Sequence, residues 1–298
     1  MIKQLSKSDG KTAIILGING EIGRLLLDVF INITPKIIGV DKNFTNISKY
    51  ENIECIEANL AVVNDYNLIF KKVQNADYVV LSLPQDLSIF ALHNLYSYIK
   101  EGAVIIDTLA VKQNYLEQII NFFEQYPKKV RILSIHPLFK PILGFNNNNI
   151  IIIPEGFDDS DKEDCFIKQI RNLGAKITYS TADAHDQMMS IIQALSHILI
   201  LSFGLTLTKM EYQPEKFKNF TTPLQQNLIA LLSRIINGNA HVYWDIQDKN
   251  QHNKKIYKQL KQSLDYFIQL ISDSNEKEFI KTFTDIKSKL LNVKEEIK

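Results

Sequence analysis

A chain of 298 residues with 45% hydrophobic content has room for one large domain or two, and ample apolar material for a packed core. Its 34 basic and 33 acidic residues leave a formal net charge of +1, which excludes the electrostatic footprint of a nucleic-acid or anionic-membrane binder and leaves small neutral or anionic partners. Cys55 and Cys165 are far apart and outside any CxxC pair, HExxH is missing and the six histidines are scattered, so neither a disulfide framework nor a metal site is expected. The apolar runs read as too short or too interrupted for a membrane span, and Met1 to Lys11 is polar, which predicts a cytoplasmic protein.

Thr12 to Leu16 is a β-rich apolar run leading into Gly17-Ile18-Asn19-Gly20-Glu21-Ile22-Gly23, after which residues 24–31 have helical character. This is the strand, glycine turn and helix of a dinucleotide-binding fold, in which glycine lets the backbone approach a pyrophosphate and the helix N-terminus offers N–H groups. Against GxGxxG, Gly20 and Gly23 fill the second and third positions, while Ile18 stands in the first with Gly17 one residue before it. Lys36 to Val40 reads as the second strand, and Asp41 follows at about the twenty-residue distance of a ribose-binding acid. A carboxylate there bonds a 2′-hydroxyl and repels a 2′-phosphate, favouring NAD over NADP; the plainer alternative is that Asp41 only opens the turn Asp41-Lys42-Asn43.

Strand and helix signals then alternate. Ile53 to Glu57, Tyr78 to Leu83, Val104 to Asp107, Val130 to Ile135, Ile150 to Ile153 and Lys176 to Ser180 read as strands, with helical spacing in Val62 to Val73, Leu87 to Ile99, Tyr115 to Glu124 and Asp161 to Asn172. The pattern predicts a largely parallel, doubly wound sheet. Leu81-Ser82-Leu83-Pro84 ends the fourth strand where the backbone can border a cofactor, which adds Ser82 and Pro84 to Gly17, Gly20, Glu21, Ile22, Gly23 and Asp41 as the expected cofactor-binding set. Asp107 to Lys112 ends the fifth strand and places Lys112 near an anionic ligand. The plain alternatives are a helix cap for Ser82 and solvation for Lys112.

Ser134-Ile135-His136-Pro137-Leu138-Phe139-Lys140-Pro141 follows the Val130 run, so His136 is expected where a strand ends and a proline-punctuated loop begins. Pro137 holds His136 extended and would aim the ring off the strand end. In an open α/β sheet that end faces the ligand crevice, which makes His136 a candidate acid or base.

After Ser180 no further strand appears. Asp183 is expected to cap a helix from about Ala184 to Thr208 that is apolar nearly all round and hence buried at a domain or subunit interface. Gln193 and His197 share a face of it at i, i+4; for His197 in isolation a satisfied core histidine is the plainer reading. Thr222-Pro223 opens another helix, and Lys254 to Ile271 and Glu276 to Leu291 supply two more. The expected fold is therefore α/β, an N-terminal Rossmann-like doubly wound sheet over 1–181 followed by an all-helical C-terminal domain over 182–298.

Three segments in this order, the glycine turn, Ser134 to Pro141, and His185-Asp186-Gln187 through Gln193-Ala194-Leu195-Ser196-His197, resemble the prephenate dehydrogenase family. The resemblance runs from about Thr12 to Leu291 and includes Thr221-Thr222-Pro223 through Ser233-Arg234 and Tyr243-Trp244-Asp245-Ile246. It implies an NAD-binding domain followed by a helical dimerisation domain, a homodimer, and oxidative decarboxylation of a cyclohexadienol to 4-hydroxyphenylpyruvate in tyrosine biosynthesis. It also implies that His136 takes the 4-hydroxyl proton, that Arg234 grips a substrate carboxylate and that His197 lies near the side chain, with Gln193 beside it. The enteric members carry a chorismate mutase domain ahead of the dehydrogenase; about ten residues precede the first strand here, so none is expected. Three departures bear on substrate: Ala110 replaces a serine, Gln226 replaces an arginine of the enteric group, and Lys140 replaces a glycine. Lys140 either lowers the His136 pKa or binds a substrate carboxylate, with a solvent-facing lysine as the plain alternative. Arogenate and 4-amino-4-deoxyprephenate are the alternative substrates, and a weakly active NAD- or tyrosine-binding regulator is the alternative of another class.

Overall fold

Each strand of the first half presents apolar side chains to both faces, and the reason is visible in β1 (Thr12–Leu16), where all five residues are buried. Ile14 and Leu16 enter one core while Ala13 and Ile15 enter the other, the period-two alternation of a strand covered on both sides. The structure, a computed structural model, describes residues 10–44, 53–126, 129–156 and 164–291. Beyond β1 come α1 (Glu21–Phe30), β2 (Lys36–Asp41), β3 (Ile53–Glu57), α2 (Phe70–Val73), β4 (Tyr78–Leu81), α3 (Gln85–Leu95), β5 (Val104–Asp107), α4 (Gln113–Gln125), β6 (Arg131–Pro137), β7 (Asn149–Glu155), α5 (Cys165–Asn172) and β8 (Lys176–Tyr179). The eight strands form one sheet in the order β3-β2-β1-β4-β5-β6-β7-β8, doubly wound about β1. Residues of α2, α3 and α4 fill the core on one face and residues of α1 and α5 fill the other.

One junction departs from the parallel pattern. β6 and β7 pair antiparallel, because residues 138–148 hold only a short 3-10 turn at Pro141–Leu143 and no crossover helix. The strand therefore runs on past its expected end, and His136 pairs with Ile151 and Pro137 with Ile150. This corrects the expectation that the strand ends before His136: the residue itself is paired in the β6–β7 ladder, at the carboxyl end of β6.

The helical part comprises α6 (Ala182–Met189), α7 (Leu195–Lys209), α8 (Pro214–Phe217), α9 (Pro223–Ile236), α10 (Ala240–Asp248), α11 (Asn253–Ser272) and α12 (Glu276–Leu291). The chain divides into two compact units. One holds the residues up to Met188 together with Asn239–Asn250, and so includes α6 and α10; the other holds Met189–Gly238 and the residues from Gln251 onward. Thr222 caps α9 through its side chain, with Pro223 in the first turn, as expected. At α6 the cap is Thr181, whose hydroxyl accepts from the Ala184 N–H, and Asp183 sits in the first turn instead. Val63–Leu68 winds as a 3-10 helix ahead of α2, where a single helix was expected, and the expected helix start at Asp161 lies outside the described residues.

Two properties of the helix after Ser180 correct the sequence reading. It is not regular: α6 and α7 are joined by a wide π turn at Ser190–Ala194. The run Ala182–Lys209 is also long and apolar enough, by length and composition alone, to cross a membrane, and only 28% of its most apolar window is buried. Uninterrupted apolar runs look short here because scattered Ser, Gln and His residues break them, yet the average over a span is apolar. Ile192 is 61% exposed and Leu205 58%, so the single chain does not bury this helix.

Candidate active site

Gly17 follows β1 with φ +82, the left-handed region, and a Cβ there would stand 2.2 Å from the Ser82 carbonyl oxygen. A Cβ on Gly23 would stand 2.2 Å from the Gly17 carbonyl oxygen, so α1 packs against the turn at glycine distance. Gly20 is the N-cap of α1 and supplies no side-chain cap, which leaves the first-turn N–H groups at Glu21 and Ile22 without a side-chain acceptor. Ile18, standing where the fingerprint has its first glycine, is fully buried. Its Cδ1 occupies the space that a Cβ on Gly39 of β2 would need, at 2.5 Å, so the loss of one glycine is matched by another. The sequence pattern singles out no role for Gly39.

Asp41 ends β2, where its Oδ2 accepts from the Asn19 N–H at 2.9 Å and its Oδ1 from the Lys42 N–H at 2.8 Å. The carboxylate is thereby turned toward the glycine turn. Ser82 contributes main chain, its N–H donating to the Leu16 carbonyl at 2.9 Å, and Pro84 is the N-cap of α3. Uncapped helix N–H groups, a cradle that side chains would fill and a carboxylate at the end of β2 fit a dinucleotide.

Around His136 the sheet unit assembles a buried chain of polar groups. His136 Nδ1 lies 2.9 Å from His185 Nε2, and His185 Nδ1 lies 2.7 Å from Asp186 Oδ1. The Asp186 oxygens also accept from the Lys112 N–H at 3.0 and 3.2 Å and from the Gln113 N–H at 2.9 Å, and the Asp186 carbonyl accepts from the Asn250 amide at 2.7 Å. A carboxylate only accepts, so His185 donates from Nδ1 to Asp186; in the tautomer with that single ring proton its Nε2 accepts, and His136 donates from Nδ1. Nε2 of His136 is then the basic nitrogen, and no described residue hydrogen-bonds to it. Burial pushes the His136 imidazole well below the usual histidine range, and His185 and Lys112 push in the same direction. His185 and Asp186 were quoted within a motif but given no role. The signal was their adjacency at the start of a helix, which sets one ring and one carboxylate side by side.

Lys112 sits differently from a solvated lysine. It was expected near an anionic ligand, or else in solvent; the solvated alternative is ruled out, because its side chain is fully buried, and the ammonium is engaged within the protein, with Nζ donating to Asp107 Oδ1 at 2.8 Å and to the Ile135 carbonyl at 2.8 Å. Burial lowers its pKa from the ordinary lysine value, with Asp107 acting in the opposite direction. Lys140 is exposed at the end of the His136 loop. The other candidates belong to the second unit. Gln193 sits half-buried in the π turn, with Oε1 buried and unbonded among the described residues. His197 is half-buried on α7, its pKa lowered by burial; Arg234 is exposed in the last turn of α9, and Gln226 is exposed earlier on the same helix.

Two family models match the chain: the prephenate dehydrogenase nucleotide-binding domain over residues 33–179 and the prephenate dehydrogenase dimerization domain over residues 181–285. The first match begins after the glycine turn. The chain is 26% identical over 215 residues to the 4-amino-4-deoxyprephenate dehydrogenase of Streptomyces pristinaespiralis, covering 72% of this chain and 71% of that protein. It is 25% identical over 213 residues to the T-protein of Haemophilus influenzae, covering 72% and 55%. It is 23% identical over 231 residues to the probable arogenate/prephenate dehydrogenase of Methanocaldococcus jannaschii, covering 76% and 50%, so it spans about half the length of these last two. Among solved structures, prephenate dehydrogenase from A. aeolicus in complex with hydroxyphenyl propionate and NAD+ superposes with a TM-score of 0.73 at 19% identity, over 97% of this chain and all of that one. Synechocystis arogenate dehydrogenase superposes with a TM-score of 0.65 at 20% identity, over 93% of this chain and 98% of that one. Those likenesses carry the fold, and the two domain matches, which together take in most of the sequence, carry the membership: the chain belongs to the prephenate dehydrogenase family.

Proposed function

We propose that this family member is an NAD-dependent enzyme that oxidatively decarboxylates prephenate to 4-hydroxyphenylpyruvate in the cytoplasm. The observation that carries the reading is the buried chain of His136, His185 and Asp186, read in the tautomer in which Asp186 takes the His185 Nδ1 proton. Asp186 and His185 hold the His136 proton on Nδ1 and leave Nε2 to accept the proton of the substrate's 4-hydroxyl. As that proton arrives, positive charge develops on a ring already hydrogen-bonded to His185, and the Asp186 carboxylate stabilises it through His185. A bound nicotinamide nucleotide supplies the acceptor for the hydride leaving the ring carbon. The carbonyl left at that carbon draws in the electron pair of the ring–carboxylate bond, so carbon dioxide departs and the ring becomes aromatic. Gly17, Gly20, Gly23 and the first-turn N–H groups at Glu21 and Ile22 would hold the pyrophosphate, Ser82 and Pro84 would border the cofactor, and Asp41 would hold the ribose. Arg234, His197 and Gln193 are assigned to the substrate by their motif positions, the arginine to a carboxylate, while Lys140, a departure from the family pattern, would meet the carboxylate left without an arginine at Gln226.

Arogenate and 4-amino-4-deoxyprephenate are the second reading, favoured by Ala110. A methyl group there offers no hydroxyl to share with His136, whose one partnered nitrogen is met by His185. A panel of the three compounds with NAD and with NADP, followed by absorbance of the reduced cofactor, separates these readings. The highest kcat/KM is expected for prephenate with NAD. A preference for another compound reassigns the substrate, and a preference for NADP removes the role given to Asp41.

We further infer a homodimer. Leu199 and Leu205 of α7 and Leu224 and Ile236 of α9 are each at least half exposed, and these helices lie in the segment matched by the dimerization domain. A second copy of the same face would cover them at a gain of roughly 25 cal/mol per Å² of apolar surface. The protein is expected to sediment as a dimer at micromolar concentration; a monomer under those conditions would sink this reading.

A further inference from the structure

β5 ends at Asp107, opposite Ser134, so the last three residues of β6, which include His136, have no strand neighbour on that side. The carbonyl of Ile135, one residue before His136, takes its hydrogen bond from the Lys112 ammonium instead. The other end of Lys112, its main-chain N–H, donates to both oxygens of Asp186, the carboxylate that holds His185. One residue thus touches the backbone that carries the first imidazole and the carboxylate that orients the second. Asp107 fixes the ammonium at 2.8 Å, and its Oδ1 also accepts from the Leu109 N–H at 3.2 Å.

We propose that Lys112 is a positioning residue: through its two ends it holds the His136 strand end and the Asp186 carboxylate at the spacing at which the His136–His185 hydrogen bond forms. Stability does not explain the arrangement. Both side chains of the Lys112–Asp107 pair are fully buried, Asp107 Oδ2 finds no partner among the described residues, and a buried ion pair is commonly no more stabilising than apolar groups of the same shape. A fixed geometry is what such a pair supplies and apolar packing does not.

The test removes the pair as a unit, in the full-length protein, as Lys112→Met with Asp107→Asn, so that neither charge is left buried alone. The inference rests on the proposed function for its kinetic arm only. A folded double variant is expected to bind NAD normally and to lose about 10²-fold in kcat with KM little changed, the size of effect that follows when a reacting group is misplaced by about an ångström. In the same protein the 15N ring signals of His136 and His185 are expected to shift as their hydrogen bond loosens. Wild-type kcat with unmoved ring signals would overturn the proposal. Should the double variant fail to fold, Asp107→Asn alone loosens the ammonium, and ring signals identical to wild type would overturn the proposal equally. A wild-type protein inert on all three substrates, but with ring signals that move as described, would instead reject the functional reading and leave the positioning role standing.

Discussion

Replacing His136 by asparagine is expected to lower kcat by about 10²- to 10⁴-fold while leaving NAD affinity unchanged, because the variant keeps a polar side chain of similar width and loses the basic Nε2. No other described residue replaces it as a base at that point: His185 is turned away, its two nitrogens engaged by His136 and Asp186. The wild-type pH profile provides an independent check with a defined sign. Neutral His136 is the active form, and burial, with His185 and Lys112 behind it, holds the imidazole well below the ordinary value. The acid limb of kcat/KM should therefore fall below about pH 6.5, the value of an unperturbed histidine. The same shift makes a stability statement. Below that pH the unfolded chain takes up a proton at this position that the folded chain resists, so His136 contributes to a loss of stability as pH falls through the unfolded value. An acid limb above neutrality, or a His136→Asn variant with near wild-type turnover, would remove His136 from the role of base. The second of these outcomes would favour a binding protein over an enzyme only if wild-type turnover were itself negligible.

Gly17→Ala is expected to cost about 3 kcal/mol or more of stability and to abolish measurable NAD binding. Two penalties fall on the same atom. The left-handed backbone at φ +82 costs a residue with a Cβ about 1–3 kcal/mol, and the new methyl group would lie 2.2 Å from the Ser82 carbonyl oxygen, which is backbone and cannot swing aside. Relieving the overlap means moving the end of β4 away from β1, which opens the cradle on which the cofactor depends. Gly102→Ala isolates the first penalty, since that glycine has φ +80 with nothing within 4 Å of an added Cβ. Thermal unfolding of both variants, with NAD titration of the first, measures the difference. Equal shifts in Tm for the two would mean that the turn relaxes without cost, and the cradle as described would be wrong.

Much of the fold was legible from local pattern. Strands covered on both faces show as short apolar runs, and Gly17, Gly20 and Gly23 in their spacing announce a strand-to-helix turn. Thr222 ahead of Pro223 announces a helix start, because each of these signals depends on residues within a few positions of one another. The placement of His136 and Asp41 was legible for a related reason: both stand near the carboxyl end of a strand, the end that faces the crevice in a doubly wound sheet. What the tertiary structure alone decided involves partners remote in sequence. His185 meets His136 across 49 positions, and the Lys112 N–H meets Asp186 across 74. Ile18 is matched by Gly39 on the neighbouring strand, and no spacing within the turn records that. Lys112 read as a cation facing a ligand, or else solvent, because lysine seldom tolerates burial unpaired, and its partners, Asp107 and the Ile135 carbonyl, are set by how far β6 runs past β5. Strand length, in turn, followed from the antiparallel return of β7, which gives His136 a neighbour that the sequence does not announce. Spacing along the chain encodes which conformation a segment adopts; which side chains then share a desolvated space is settled only when the sheet has closed around them, and the acid–base character of His136 is set at that step.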